Sequence, residues 1–180
     1  MTTHAILIQS KTAAMDNSYL NRSAIAAVDL DNGNVVSLLD QNEVAGQTEL
    51  WDCVQPATGS LIGLWMVAAP ELVVTVSGTN KYRGIDPDVR NFYTSASTAF
   101  DAFKPMVGDK ITLTADALDS ATPQAFAIAT NGSWKLTWAA NLGAGVATGL
   151  RYIRTSYISI GTGALDNQRV TAFEFEVVVN

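Results

Sequence analysis

The chain has 180 residues and a formal net charge of −6, with 48% apolar and 16% charged residues. This length fits one domain, or one domain with a small addition, and the apolar content excludes a chain that is disordered by composition. The charged fraction lies below the roughly 25% of an average globular domain, which predicts a neutral surface or a surface covered by partners. Direct binding of nucleic acid is not expected, because Lys and Arg form no basic stripe for phosphate contacts.

The cysteine content, the N-terminal residues and the apolar runs indicate where the protein is made and whether it binds a membrane. A single cysteine, Cys53, excludes an intrachain disulfide and a zinc site built from several cysteines. The opening MTTHAILIQSKTAAMDN lacks the basic and long apolar regions of a cleaved leader, so we expect synthesis in a cytoplasm without one. The longest apolar run, residues 61–69, is far shorter than the roughly 20 residues of a membrane span. No membrane partner is therefore expected.

The first forty residues contain the clearest local turn signal. Residues 4–9 have strand character, whereas residues 11–22 show no clear period and are typical of a loop or arm. Two apolar runs, 24–30 and 35–39, then flank Asp31-Asn32-Gly33-Asn34. Asn-Gly is the favoured centre of a two-residue type I′ turn, so the two runs are predicted to pair as an antiparallel hairpin.

The middle of the chain predicts three strands and then a change of character. Alternation and β-branched residues indicate strands at 49–55, 61–69 and 72–78. Residues 80–100 are predicted to form a long loop, with a turn or two of helix starting at Asp86-Pro87. We place a domain boundary there: residues 1–80 would hold an N-terminal arm and hairpin, and residues 81–180 a C-terminal β-domain. One continuous domain is the alternative.

The C-terminal half has the strongest strand patterns. A turn at Gly108-Asp109 precedes a strand over 110–115, and Asn131-Gly132 joins strands 126–130 and 133–139 in a hairpin. Two long strands, 150–160 and 171–180, end the chain. The inward positions are Trp134, Leu136 and Trp138 in the hairpin, and Thr171, Phe173, Phe175, Val177 and Val179 in the last strand, with Ala172, Glu174, Glu176 and Val178 outward.

The fold class follows from the spacing of these elements. About nine short strands are separated by turns, with hardly any helical periodicity. The sequence therefore predicts an all-β fold, an antiparallel β-sandwich or barrel with an N-terminal hairpin or arm and little helix.

No cluster of residues predicts catalysis, a cofactor or a metal ion. His4 is the single histidine, and it is better explained as a strand residue because a catalytic base needs a nucleophile beside it. Residues 29–40 do not fit a calcium loop, since Gly33 falls at the fifth position and Asp40 at the twelfth, where an EF-hand needs Gly at the sixth and Glu at the twelfth. The glycine-rich residues 143–149 precede a strand instead of opening a helix, so they do not predict a phosphate site.

Three further features have a structural explanation. Glu174 and Glu176 share a strand face at about 7 Å, a spacing that glycosidases use, but alternating exposed charge accounts for them. A sugar-binding platform would need exposed tryptophans, and the four candidates are Trp51, Trp65, Trp134 and Trp138, of which the last two are better explained as core. Cys53 is expected to be a small buried apolar residue. We therefore predict a protein that is not an enzyme, with no catalytic, cofactor-binding or metal-binding residues.

The order and spacing of several pieces resemble a known family. These pieces are Asp86-Pro87, Asn91-Phe92, residues 100–103 (FDAF), 107–116 (VGDKITLTAD), 157–161 (YISIG) and 169–173 (RVTAF). Over residues 80–180, and more loosely in its first 23 residues, the chain resembles a family of tailed-bacteriophage virion proteins encoded near the major capsid protein. The resemblance implies a capsid decoration or head-fibre-like protein, a non-enzymatic component that binds the outer surface of the head and stabilises it.

The same resemblance implies partners and a location. The expected partners are the major capsid protein and further copies of this chain, with a trimer suiting the threefold positions of a capsid, and the expected location is the virion surface. The first fifty residues contain six acidic and two basic side chains, and residues 1–49 are expected to contact the shell or a neighbouring copy. Two alternatives stay open: a tail-tube, tail-terminator or neck protein, and a carbohydrate-binding or adhesion module.

Overall fold

The all-β prediction is confirmed. The computed structural model of the chain describes residues 4–13, 21–41, 49–57, 63–71, 88–143, 148–160 and 168–180, and the backbone of residues 73–77 and 80–84. These residues form twelve strands and three short 3₁₀ turns, the turns being Gln9–Lys11, Val89–Asn91 and Ala115–Ala117. Within this described part of the chain, no helix is long and apolar enough to cross a membrane. The strands are β1 (Asn21–Ile25), β2 (Val35–Gln41), β3 (Leu50–Val54), β4 (Trp65–Val67), β5 (Val73–Ser77), β6 (Asn80–Gly84), β7 (Ala99–Phe103), β8 (Lys110–Thr114), β9 (Phe126–Ile128), β10 (Thr137–Ala139), β11 (Gly149–Ile160) and β12 (Gln168–Val179).

Five strands close into a barrel in the order β1-β3-β2-β4-β7. Strand β1 pairs in parallel with β3 and antiparallel with β7, and β7 closes the ring by pairing with β4. Side chains fill the interior, because alternate residues of each strand point inward. The buried inward residues include Ala24, Val36, Cys53, Val67, Phe100 and Ala102.

The second sheet is antiparallel, in the order β10-β9-β11-β12-β8. Strands β11 and β12 pair along their length, with a bulge between Tyr152 and Arg154, so the two long C-terminal strands are confirmed. Phe173, Phe175 and Val177 are buried on one face, as predicted, and the Trp138 ring meets that of Phe173 edge-on at 5.3 Å. Ala172 on the opposite face was expected to face water, but it is buried.

The N-terminal segment covers the outer edge of β8. The Ile8 N–H donates to the Thr112 carbonyl at 2.9 Å, and Ala13 and Lys110 exchange two backbone hydrogen bonds, each of 2.8 Å. Ile6 is 2% exposed and packs with Ile8 against Ala172. Residues 4–13 therefore belong to the fold. The strand predicted over residues 4–9 is reduced to an isolated bridge between Leu7 and Leu113, and residues 11–13 of the predicted loop or arm lie beside β8.

The predicted hairpin of β1 and β2 is wrong, although the turn between them is present. The Asn34 N–H donates to the Asp31 carbonyl at 3.1 Å, but β3 lies between β1 and β2 in the barrel. A type I′ turn needs a positive φ at both central residues, and here only Gly33 has one, at +90°. Asn32 is buried and exchanges two hydrogen bonds, of 2.8 and 2.9 Å, with the backbone of Ala69. The turn is therefore held by distant residues.

Several other predictions are confirmed with small changes. Strands β3, β4, β5 and β8 lie within or at the predicted ranges, and β9 and β10 form the hairpin around Asn131-Gly132. Leu136 and Trp138 are buried as predicted, whereas Trp134 is half-buried.

The predicted loop over residues 80–100 is wrong in its first part, because β6 pairs with β5 there. A single 3₁₀ turn, Val89–Asn91, follows, and its N-cap is Asp88, whose side chain accepts a hydrogen bond from the Arg90 N–H. The predicted cap at Asp86-Pro87 lies outside the described residues, as do residues 144–147 of the glycine-rich loop.

The proposed boundary at residue 80 does not separate the two sheets. Strand β7, which follows that boundary, completes the barrel, while residues 4–13, which precede it, line β8 of the second sheet. Chain segments therefore cross between the sheets in both directions.

The side chain of Asn180 ties together three segments between the sheets. Its Oδ1 accepts from the Leu64 N–H at 3.1 Å and from the Thr148 hydroxyl at 2.7 Å. Its Nδ2 donates to the carbonyls of Leu64, at 3.1 Å, and Pro105, at 2.7 Å. The amide thus uses its full capacity of two acceptor sites and two donors.

Gly33 provides a direct test of the buried turn. A Cβ at this position would lie 2.7 Å from Leu113 Cδ2, and the φ of +90° disfavours any other residue. We expect Gly33→Ala to lower the free energy of unfolding by about 2–5 kcal/mol, from backbone strain and overpacking combined. Urea unfolding followed by tryptophan fluorescence measures the loss. The matched control is Gly132→Ala, where φ is +71° but no atom lies within 4 Å; it should lose only about 1–2 kcal/mol. Equal losses would contradict the contact with Leu113.

Asn180 tests the link between the segments. We expect Asn180→Ala to destabilise the protein by about 1–3 kcal/mol, because it leaves backbone groups of Leu64 and Pro105 without their partner. Replacement of the exposed Asn21 by Ala serves as the control and should change stability by less than about 0.5 kcal/mol. Thermal and urea unfolding of both variants measure these changes in stability. An Asn180→Ala variant as stable as the control would argue against a stabilising role for the Asn180 hydrogen bonds.

Candidate functional site

An apolar groove of about 500 Å³ lies between one end of the barrel and the β9–β10 turn. One wall is formed by residues 27–28 and 53–57, and the other by Asn131, Gly132 and Trp134. The Gly132 N–H donates to the Pro56 carbonyl at 2.8 Å, and the Val35 N–H donates to the Trp134 carbonyl at 2.8 Å. The first bond joins the two walls and the second holds Trp134 against β2, so the groove is preformed.

Two valines make this groove a candidate for protein contact. Strand β3 alternates, so Cys53 points into the barrel and Val54 points outward, where it is 40% exposed. Val28 lies on the same wall and is 43% exposed. Two exposed apolar side chains in one concave apolar groove offer a contact surface to a partner. Sequence reasoning missed this site, although the alternation around Cys53 marks Val54 as outward.

Cys53 is buried, as the sequence predicted. It is 8% exposed, and burial, with a smaller contribution from the charge of Asp52, raises the pKa of its thiol to about 12. The thiolate is the reactive form of cysteine. Cys53 therefore stays a protonated, apolar part of the barrel interior near neutral pH.

The opposite end of the barrel is closed by an arginine and two tryptophans. Arg22, Trp51 and Trp65 lie on β1, β3 and β4 at positions that point inward. The Arg22 guanidinium lies over both indole rings, 5.9 Å from the centre of Trp51 and 5.7 Å from that of Trp65. Both distances lie within the roughly 6 Å of a cation–π contact, so the two indole rings share one cation at this end of the barrel.

His4 connects the N-terminal segment to the buried turn. Its Nδ1 lies 2.7 Å from Asp31 Oδ1, and its ring stacks on Tyr93 with centres 4.7 Å apart. The second Asp31 oxygen accepts from the Ala5 N–H at 3.1 Å. These contacts, to a carboxylate and an aromatic ring, give His4 a structural role.

Four of the acidic side chains considered from the sequence bind neighbouring groups: Asp29, Asp31, Glu174 and Glu176. Asp29 accepts from the Ala96 N–H at 2.8 Å, away from Asp31 and its partner His4. Glu174 pairs with Arg154, and Glu176 with Arg151, across β11 and β12. Within the described ranges, no three or more His, Cys, Asp or Glu residues are placed to hold a metal ion.

Comparison of the chain with protein-family models, with curated proteins and with solved structures finds no match.

The raised pKa of Cys53 has a consequence for stability. The ordinary thiol value is 9.0 and the folded value is about 12. A group with a raised folded pKa contributes its full stability below the unfolded value, and that contribution falls as the pH rises toward the folded value. The free energy of unfolding should therefore fall more steeply above about pH 9 in the wild type than in Cys53→Ala. Urea unfolding of both proteins from pH 8 to about pH 11 measures this difference. Lys and Tyr residues titrate in the same range but are present in both proteins, so the difference between them reports on Cys53. An identical fall of the free energy of unfolding with pH in both proteins would contradict the prediction.

Proposed function

We propose that the protein is a non-enzymatic structural protein of a tailed-bacteriophage virion, a decoration protein that binds the outer surface of the capsid and stabilises it. The resemblance of residues 80–180 supports the family. The preformed apolar groove with Val28 and Val54 is the structural observation that carries the proposal, because it offers a binding surface on a scaffold whose strands are otherwise largely paired.

The groove would act by burying apolar surface of a capsid subunit. Completing the burial of two half-exposed valines stabilises a contact by about 1–2 kcal/mol in total, from about 25 cal/mol per Å² of apolar area. One such contact is weak. A decoration protein that touches several subunits at once gains from avidity, which raises the overall affinity without a larger individual interface.

This proposal changes the expected shell contact. Val28 belongs to residues 1–49, which were expected to contact the shell or a neighbouring copy, and it lies in the loop after β1, whereas Val54 lies outside that range. A deletion of residues 1–22 is not a clean test of shell binding, because Ile6 and Leu7 are each 2% exposed and their loss would damage the core.

Co-sedimentation with undecorated capsids of the phage that encodes the protein tests the function. We expect saturable binding at a fixed stoichiometry to the capsid lattice. Failure to bind would refute the decoration function, and assembly of the free protein into rings or tubes would favour a tail or neck component.

Point variants test the groove separately. Val28→Ser combined with Val54→Ser should weaken capsid binding by about tenfold or more, because both apolar contacts are lost. Leu39→Ser is the matched control, since Leu39 is 49% exposed on β2 and does not line the groove. All three positions are exposed, so the variants should fold normally. If the double variant binds as well as the control, the groove is not the contact surface.

A further inference from the structure

Strand β11 has a long edge without a neighbouring strand in the described part of the chain. Strand β9 pairs with β11 only over Gly149–Arg151, whereas β12 pairs with it on the other side up to Ile160. The outer strands of the same sheet are covered. Residues 4–13 line β8, and residue Leu118 forms a bridge to Leu136 beside β10. A free edge presents unpaired N–H and C=O groups and is a template for pairing with another chain.

The register shows which residues present these groups. The Val177 N–H donates to the Asp109 carbonyl beside β8 at 2.9 Å, so odd-numbered residues of β12 point their backbone groups toward β8 and even-numbered ones toward β11. Ala172 pairs with Ser156, and Val170 with Ile158. Thr155, Tyr157 and Ser159 therefore point their backbone groups away from β12. The Lys11 Nζ donates to the Tyr157 carbonyl at 2.9 Å, consistent with this direction.

The side chains along this edge favour a second copy of the same chain. Residues 155–160 (TSYISI) are uncharged and rich in β-branched and aromatic types, and Tyr157 is 42% exposed. The adjacent Arg154 is paired with Glu174. Residues 155–160 carry no charge of their own, which avoids direct repulsion between two copies. Two cations lie beside them: Lys11 on the Tyr157 carbonyl and Arg169, 3.6 Å from the centre of the Tyr157 ring.

We propose that two copies of the protein associate through their β11 edges, paired antiparallel across a two-fold axis. An antiparallel edge is its own complement, so the N–H and C=O groups of Thr155, Tyr157 and Ser159 face those of the other copy. Lys11 limits the strength of this dimer, because its amine occupies the Tyr157 carbonyl and two copies bring two such charges near the axis. The proposal concerns the free protein and does not depend on capsid binding.

Sedimentation equilibrium of the purified protein over a range of concentrations tests the dimer. Proline is tolerated at an edge position whose N–H points away from the sheet, so Thr155→Pro and Ser159→Pro remove only the outward donors. Each should lower the association constant by about tenfold or more, since each removes two hydrogen bonds from the symmetric dimer. The control Thr155→Ala keeps the backbone N–H and should dimerise like the wild type. Lys11→Met should strengthen the dimer, and weaker association of this variant would count against edge pairing.

Disulfide cross-linking decides the question even if the proline variants fold poorly. In a two-fold antiparallel pair, one residue lies opposite its own copy with a Cα separation of about 4.5–5.5 Å, which a disulfide can bridge. Single cysteines are placed at each position from 155 to 159. One position should cross-link far more than the others and more than the exposed control Leu39→Cys. The native Cys53 does not compete, because it is buried.

Three results would overturn the proposal. In sedimentation, they are a monomer at every concentration, or an oligomer that has another mass or persists in both proline variants. In cross-linking, the contrary result is an equal yield at all five positions and at the control.

Discussion

The buried turn at residues 31–34 is the constraint on which the arrangement of the two sheets depends. Asn32 is 1% exposed and exchanges two hydrogen bonds with Ala69, while the Gly33 N–H donates to the Val67 carbonyl at 2.9 Å. Gly33 lies against Leu113 of the second sheet. Buried polar groups are costly unless they are bonded, so this turn favours one arrangement of the barrel against the sheet. Burial also raises the pKa of the neighbouring Glu71, although its hydrogen bond with Asn32 opposes this effect.

Some strand edges of the described residues are closed and others are open. The barrel has no edge, and residues 4–13 cover β8. The two-stranded β5–β6 sheet has no described neighbour on either side. Two other open surfaces of the described residues are the groove beside Val28 and Val54 and the edge of β11. These two surfaces use different residues, so a capsid subunit and a second copy could bind the same molecule. The groove would bind by burying apolar surface, and the edge of β11 would bind by backbone pairing. Both kinds of contact suit a protein whose proposed role is adhesion.

The two Asn-Gly pairs show what a local turn signal can and cannot predict about strand pairing. Asn131-Gly132 lies in the connection of the predicted hairpin, although its strands are shorter than predicted and pair only over Phe126–Ile128 and Thr137–Ala139. Asn32-Gly33 has the same local signal and a similar apolar context, but Asn32 bonds to a residue 37 positions away. The hairpin prediction failed there because β3 pairs with both β1 and β2 and separates them. The groove could not be predicted for a related reason. Val28, Val54 and Trp134 are far apart in the sequence, and none of them by itself indicates a binding surface.

The sequence by itself determined the all-β class, the positions of most strands and the buried row of Phe173, Phe175 and Val177. These features follow from the two-residue period of a strand, which is a local property of the backbone. Only the tertiary structure decided which strands are neighbours, where the N-terminal segment lies and which surfaces stay open. Every strand offers the same N–H and C=O groups, so the choice of partner rests on contacts between residues far apart in the chain.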